Sequence, residues 1–144
     1  MNDPASGETL FEYNAFGELI MKRTAKNCMT TYEYNGMGDV VKRTETDERG
    51  GNPVVTRWDY DNIKGKLGTL SRVVYGKMQS VAYEYDDLLR VVGVRETIGG
   101  EEFVTNYKYD AANREDLVNY PSGVTIQKKY SNSGYFKMMY SQAS

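Results

Sequence analysis

Twenty Asp and Glu, 13 Tyr, one Trp, one Cys and no His set the chemistry open to this 144-residue chain. Without histidine there is no Ser-His-Asp or Cys-His relay and none of the common histidine metal sites. Carboxylates are the remaining acids and bases. Asp86 and Asp87 are adjacent, but a hydrolytic pair needs a partner across a cleft and a raised pKa. Asp59, Asp61 and Asn62 have the spacing of an oxygen-rich calcium loop. Calcium takes about six to eight oxygens, however, and no glutamate closes this loop at the right distance. Turn capping accounts for these residues more simply, so no catalytic residue, metal site or cofactor is assigned. Trp58 and Tyr83 are the candidates for ligand stacking, on a sugar or a peptide, because aromatic rings are over-represented at binding surfaces. Rings at repeat spacing read more simply as a packing face. Cys28, flanked by Asn27 and Met29, reads as an inert thiol with no partner for an internal disulfide.

Composition narrows the class further. Leu, Ile, Val and Phe supply only 28 of 144 residues, close to the disordered range. A net charge of −2 and the 13 Tyr argue for order all the same, since those rings supply apolar area. Mean hydropathy is −0.65, so much of each ordered segment must face water, as in a thin, half-exposed sheet. Eighteen Lys and Arg are scattered among the acids, which leaves no basic stripe for nucleic acid. No basic start followed by an apolar run marks a signal peptide, and no apolar stretch reaches the roughly 18 residues of a membrane span.

The elements that must position these residues emerge from a repeat. A phrase recurs six times: FEYNAFGEL, YEYNGMGDV, WDYDNIKGKL, YEYDDLLRV, YKYDAANRE and KKYSNSGYF. Its second-position tyrosines are Tyr13, Tyr34, Tyr60, Tyr85, Tyr109 and Tyr130, spaced by 21, 26, 25, 24 and 21 residues. Five copies carry another aromatic two positions earlier (Phe11, Tyr32, Trp58, Tyr83, Tyr107), and Lys128 is the exception. Side chains two apart share one face of a strand.

A turn residue follows each tyrosine: Asn14, Asn35, Asp61, Asp86, Asp110 or Ser131. Such side chains accept a hydrogen bond from a backbone N–H two positions on and start a turn. Three residues further stand Gly17, Gly38, Asn113 and Gly134, with Gly65 one residue later in the third copy. These predict the left-handed residue of a hairpin loop of about three to five residues. Leu89 holds that place in the fourth copy, so that loop either takes another conformation or is strained. Between phrases lie β-branched runs such as Val73-Val74 and Val91-Val92-Gly93-Val94, separated by second turns such as Gly99-Gly100-Glu101 and Tyr120-Pro121-Ser122-Gly123. The prediction is all-β, an antiparallel meander of about 11 to 12 strands built from repeated β-hairpins. Residues 1–144 form a single array centred on the six tyrosines. At about 4.8 Å per strand the sheet would span roughly 55 Å, and twisted open sheets of more than about 10 strands curl or split. Its end strands lack partners, which predicts self-association through the sheet edges unless terminal residues fold over them.

These residues resemble the YD repeat of the Rhs family, an aromatic-x-Tyr-Asp-x-x-Gly-Arg phrase followed by an apolar strand. Tyr83-Glu84-Tyr85-Asp86 with Arg90, and Tyr107-Lys108-Tyr109-Asp110 with Arg114, match it best. Departures are Asn14, Asn35 and Ser131 for aspartate, Leu89 and Asn113 for glycine, and Glu115 for an apolar residue. The resemblance runs from about residue 9 to 140. Rhs proteins, toxin-complex shell components, wall-associated proteins and teneurins are similar in this respect. It implies a curled strip that is a segment of a longer secreted or cell-surface protein, non-enzymatic, contributing to a shell that encloses or displays a toxin or other effector. Its partners would be the remainder of the parent chain and that effector. The alternative is an adhesive module that binds glycans or a cell-surface partner through exposed Tyr and Trp.

Overall fold

The computed structural model describes residues 2–3, 7–61 and 67–143. Two short strands, β1 (Asn2–Asp3) and β2 (Gly7–Glu8), pair as a separate small sheet. Gly7 sits at φ 76°, and a Cβ there would lie 2.7 Å from the Ala25 side chain, so that small hairpin packs at the turn after the second strand of the main sheet. Twelve further strands follow: β3 (Leu10–Tyr13), β4 (Leu19–Arg23), β5 (Met29–Tyr34), β6 (Val40–Thr46), β7 (Val54–Tyr60), β8 (Leu70–Tyr75), β9 (Gln79–Tyr85), β10 (Val91–Ile98), β11 (Glu101–Tyr109), β12 (Glu115–Asn119), β13 (Val124–Tyr130) and β14 (Phe136–Ala143).

All twelve form one open antiparallel sheet in strict chain order, with β3 at one end and β14 at the other. The expected meander is the observed one, and it does not close into a barrel. Each strand pairs with its neighbours in sequence, so every ladder is local. The two-residue turn Gly99-Gly100 between β10 and β11, with φ of 61° and 95°, is the kind whose twist matches paired strands.

Every hairpin carries one feature that the sequence reading did not anticipate. Opposite each repeat tyrosine, the return strand holds one extra residue. Tyr13 pairs with Leu19 while Glu12 pairs with Met21, leaving Ile20 bulged. Tyr34 pairs with Val40 and Glu33 with Lys42, leaving Val41. Ser71, Val92, Asp116 and Lys137 are the corresponding residues of the other hairpins. A β-bulge bends its strand and increases local twist, so six at one position distribute curvature along the strip.

Pairing assigns the faces. One carries the repeat aromatics, with Trp58 opposite Val73 and Tyr107 opposite Val118. Among the described residues Val73 and Val118 are the buried apolar side chains, each 2% exposed. Each is flanked on its other side by a β-branched residue of the next strand, Val81 or Ile126. The opposite face is charged: Glu33 accepts from Lys42 at 2.6 Å, and Arg95 reaches Glu102 at 2.9 Å and Glu84 at 3.8 Å. A single layer thus gains a half-buried aromatic side and a solvated ionic side. No helix in the described residues is long and apolar enough to cross a membrane.

Candidate functional site

The feature that repeats most closely is the joint between one hairpin and the next, built from turn, tyrosine and strand register. The turn begins with the residue after the tyrosine. The Asp86 N–H donates to the Arg90 carbonyl at 3.0 Å, and the Leu89 N–H donates back to the Asp86 carbonyl at 3.1 Å. The Asp86 carboxylate accepts the Leu88 and Arg90 N–H groups at 2.9 and 3.0 Å. Asn14, Asn35 and Asp110 accept the same two amides in their own loops. Ser131 offers its hydroxyl to the Tyr135 N–H at 3.1 Å.

The fourth residue of the turn is left-handed in each of these loops: Gly17 at φ 82°, Gly38 at 87°, Leu89 at 60°, Asn113 at 61° and Gly134 at 87°. Leu89 therefore keeps the common turn and bears its strain. The third hairpin departs from this scheme. Its turn closes by the Asp61 N–H donating to the Thr69 carbonyl at 3.0 Å, with the Asp61 carboxylate accepting the Gly68 N–H. Asp61 itself has φ 61° and Gly68 has φ 76°. Gly65 and Asn62 lie outside the described residues.

The tyrosine then crosses to the preceding hairpin. The Tyr34 hydroxyl donates to the Leu19 carbonyl at 2.8 Å, Tyr85 to Leu70 at 2.8 Å, Tyr109 to Val91 at 2.7 Å and Tyr130 to Glu115 at 2.9 Å. Each acceptor is the first residue of the preceding return strand. Burial pushes the Tyr34, Tyr60, Tyr85 and Tyr109 hydroxyls above the ordinary phenol value. Nearby carboxylates add to this, Glu18 at Tyr34 and Asp39 at Tyr60. Tyr13, on the end strand, is 59% exposed.

Arg90 and Arg114 close two of the joints. Arg90 holds Asp86 by Nε at 2.7 Å and Nη2 at 2.6 Å, bonds Asn113 of the next turn at 2.7 Å, and lies 4.5 Å over the Tyr109 ring. Arg114 holds Asp110 at 2.8 and 2.7 Å and lies 4.3 Å over Tyr130. The arginine side-chain hydrogen bond is the main cause that keeps Asp86 and Asp110 below the ordinary carboxylate value. In the first two hairpins the polarity is exchanged. The Asn14 amide donates to Glu18 at 2.6 Å and the Asn35 amide to Asp39 at 3.0 Å. A first-to-fifth pairing within the loop survives although the residue types do not.

The five joints share one register as well. Each pairs the residue two past the start of the return strand with the residue three before the next tyrosine: Met21 with Thr31, Lys42 with Arg57, Arg72 with Ala82, Gly93 with Asn106, and Leu117 with Gln127.

The stacking candidates stand on this aromatic face. Trp58 is half-buried opposite Val73, with the Arg43 guanidinium 5.9 Å from its ring, and Tyr83 is half-buried opposite Val94. The two rings are on strands separated by β8. Asp86 is tied to Arg90, and Asp59 is engaged through its carbonyl, which accepts the Ser71 hydroxyl at 2.8 Å. Among the described residues no group of three or more His, Cys, Asp or Glu could hold a metal ion.

Neither a known family's sequence pattern nor a curated protein matches the chain. Solved structures do. The crystal structures of TcdB2-TccC3-Cdc42 and TcdB2-TccC3 each superpose with a TM-score of 0.83 at 13% identity, covering 98% of this chain and 8% of theirs. That of TcdB2-TccC3-TEV superposes at 0.79 over 95% of this chain. The fold is that of a short stretch of those chains. The chain spans about a twelfth of their length, 8%, and the shared fold agrees with the YD-repeat resemblance of its phrases.

Proposed function

We propose that the chain is a YD-repeat segment of a larger secreted or surface protein, with the structural role of one stretch of wall in a shell that encloses or displays a toxin or other effector. The observation that carries this reading is the joint. The register recurs at all five joints, the tyrosine hydroxyl-to-carbonyl bond at four of them and the common turn in five hairpins, so the sheet is built to be extended, as in a solenoid-like array whose stability sums over neighbouring units. The recurring polar residues are used in that construction: the turn side chains cap amides, Arg90 and Arg114 clamp tyrosines and the tyrosines tie strands. A non-enzymatic role follows from this use of the residues, and the fold shared with the TcdB2-TccC3 chains supports it.

Electron microscopy of the full-length parent protein tests the reading. These hairpins should form part of a hollow wall with one sheet face turned to the enclosed space. A parent in which they form an isolated solvent-surrounded strip would overturn it. Saturable glycan binding by this chain, abolished in Trp58→Ala and Tyr83→Ala, would instead establish an adhesive role.

A further inference from the structure

Arginine clamps two of the joints, and at the first joint an acid holds its place. Arg90 and Arg114, the last residues of their loops, lean toward the following hairpin and stack on its tyrosine, 4.5 and 4.3 Å away. Each also reaches the fourth residue of the following turn. Arg90 bonds Asn113 there, and Arg114 Nη1 lies 3.6 Å from the position a Cβ would take on Gly134. The first turn ends in Glu18 instead. Its carboxylate follows the same path: Oε2 accepts the Asn14 amide at 2.6 Å, and Oε1 lies 3.2 Å from the position a Cβ would take on Gly38.

Glutamate is shorter than arginine and of opposite charge, so it brings no cation to the Tyr34 ring. That ring is nonetheless tied as Tyr109 and Tyr130 are, by its hydroxyl on the Leu19 carbonyl at 2.8 Å. An open groove of about 760 Å³ lies here, lined by Phe16, Glu18, Ile20, Tyr32, Tyr34 and Met37. Its size falls within the range of about 300–1,000 Å³ of small-ligand sites. Phe16 and Met37 are 89% and 64% exposed. Among the described residues no lysine or arginine pairs with Glu18, and none lies over Tyr34.

The groove does not depend on where the sheet begins or ends. Arg90 and Arg114 each reach only the turn that follows, so a hairpin added ahead of β3 would meet Tyr13 and Gly17, and one added beyond β14 would stand at the far end.

We propose that the groove between the first two turns binds a guanidinium group, presented by an arginine of another polypeptide segment and seated between the Glu18 carboxylate and the Tyr34 ring, as Arg90 sits between Asp86 and the Tyr109 ring. Arginine suits it better than lysine, because a guanidinium is planar and weakly hydrated and can pair with a carboxylate while stacking on an aromatic face. Its methylene stem can lie along exposed apolar side chains such as Phe16 and Met37. One half-exposed carboxylate and one ring make a weak site, so a single arginine binds in the millimolar range. This inference rests on the comparison between joints and stands whether or not the parent protein is a shell.

Titration of the isotope-labelled chain with N-acetyl-arginine amide, followed by nuclear magnetic resonance at the Met37 and Gly38 amides and the Tyr34 ring, is the test. The lysine and citrulline amides serve as controls, and circular dichroism confirms that each variant keeps its fold. Saturable shifts are expected with the arginine probe, weaker binding with lysine and none with uncharged citrulline. Glu18→Gln should weaken arginine binding about fivefold. The double variant Asn14→Asp with Glu18→Arg rebuilds the clamp within the chain: it should abolish binding and move the introduced side chain's methylene protons upfield through the Tyr34 ring current. A chain without saturable shifts, one that binds citrulline equally, or one whose affinity ignores Glu18→Gln overturns the proposal. Equal binding of arginine and lysine overturns the assignment to guanidinium, and methylene protons at ordinary positions in the double variant overturn the seat on Tyr34.

Discussion

Leu89 holds a left-handed backbone, φ 60°, while its side chain is 51% exposed. That conformation costs an L residue about 1–2 kcal/mol, partly offset here by what contact the side chain keeps. Replacing it by glycine removes the strain at the expense of a more flexible unfolded chain, so Leu89→Gly should leave stability unchanged or raise it by up to about 1 kcal/mol. Urea denaturation measures this, and a clear loss would mean that packing by Leu89 outweighs its strain. The tyrosine hydroxyls allow a paired comparison. Tyr109→Phe deletes a donor to the Val91 carbonyl and should cost about 1 kcal/mol. Tyr13→Phe, at an exposed end position, should cost nothing in dilute solution. Equal effects in the two variants would contradict the role given to the hydroxyl. Alkaline titration reads the same residues together. Burial raises Tyr34, Tyr60, Tyr83, Tyr85, Tyr107 and Tyr109 in the folded chain. Because these folded values exceed the unfolded one of about 10, their contribution is complete below that pH and is lost as pH rises through the folded values. Phenolate absorbance should therefore appear at higher pH in the native chain than in the chain denatured by urea, and coincident curves would count against the buried ladder.

At the scale of the hairpin, most of what the phrases predicted was visible because it is local. An Asx residue, a left-handed residue three later and two aromatics on one face depend only on neighbours in sequence, and period-2 alternation reports the face. The bulges were harder to read, since an extra residue shows only against the partner strand. A trace of them exists in adjacent apolar pairs such as Val40-Val41 and Val91-Val92, which break the alternation where the bulges fall. The arginine clamp was visible only as spacing. Asp86 and Arg90 stand four apart, as do Asp110 and Arg114, but stacking on a tyrosine some 16 to 19 residues later in the chain, Tyr130 or Tyr109, requires the register between hairpins. The third turn was misjudged in length because its closing residue, Thr69, lies beyond the phrase. Asp86 and Asp110 have folded pKa values below the unfolded carboxylate range. Their contribution is present above an unfolded pKa of about 4 and is lost as pH falls through the lower folded values. The double variant Asp86→Asn with Asp110→Asn should accordingly show a flatter loss of stability on acidification than the parent chain. An unchanged acid limb would remove the clamp from the account.

The whole molecule is a row of like units in one layer. With two buried apolar residues among those described, Val73 and Val118, no central core holds it together. Stability must come from cross-strand pairs, each contributing about 0.2–1 kcal/mol, together with the tyrosine, arginine and turn contacts of each joint. Such an array has only neighbour-to-neighbour ladders, and the same locality makes its fold readable from a repeat. Long-range backbone nuclear Overhauser effects test this most directly. They should connect only strands adjacent in sequence, and across the joints they should link Met21 to Thr31, Lys42 to Arg57 and Leu117 to Gln127 in a common register. Cross-peaks between strands distant in sequence within one molecule, as in a two-layer sandwich, or a register that shifts from joint to joint, would contradict it.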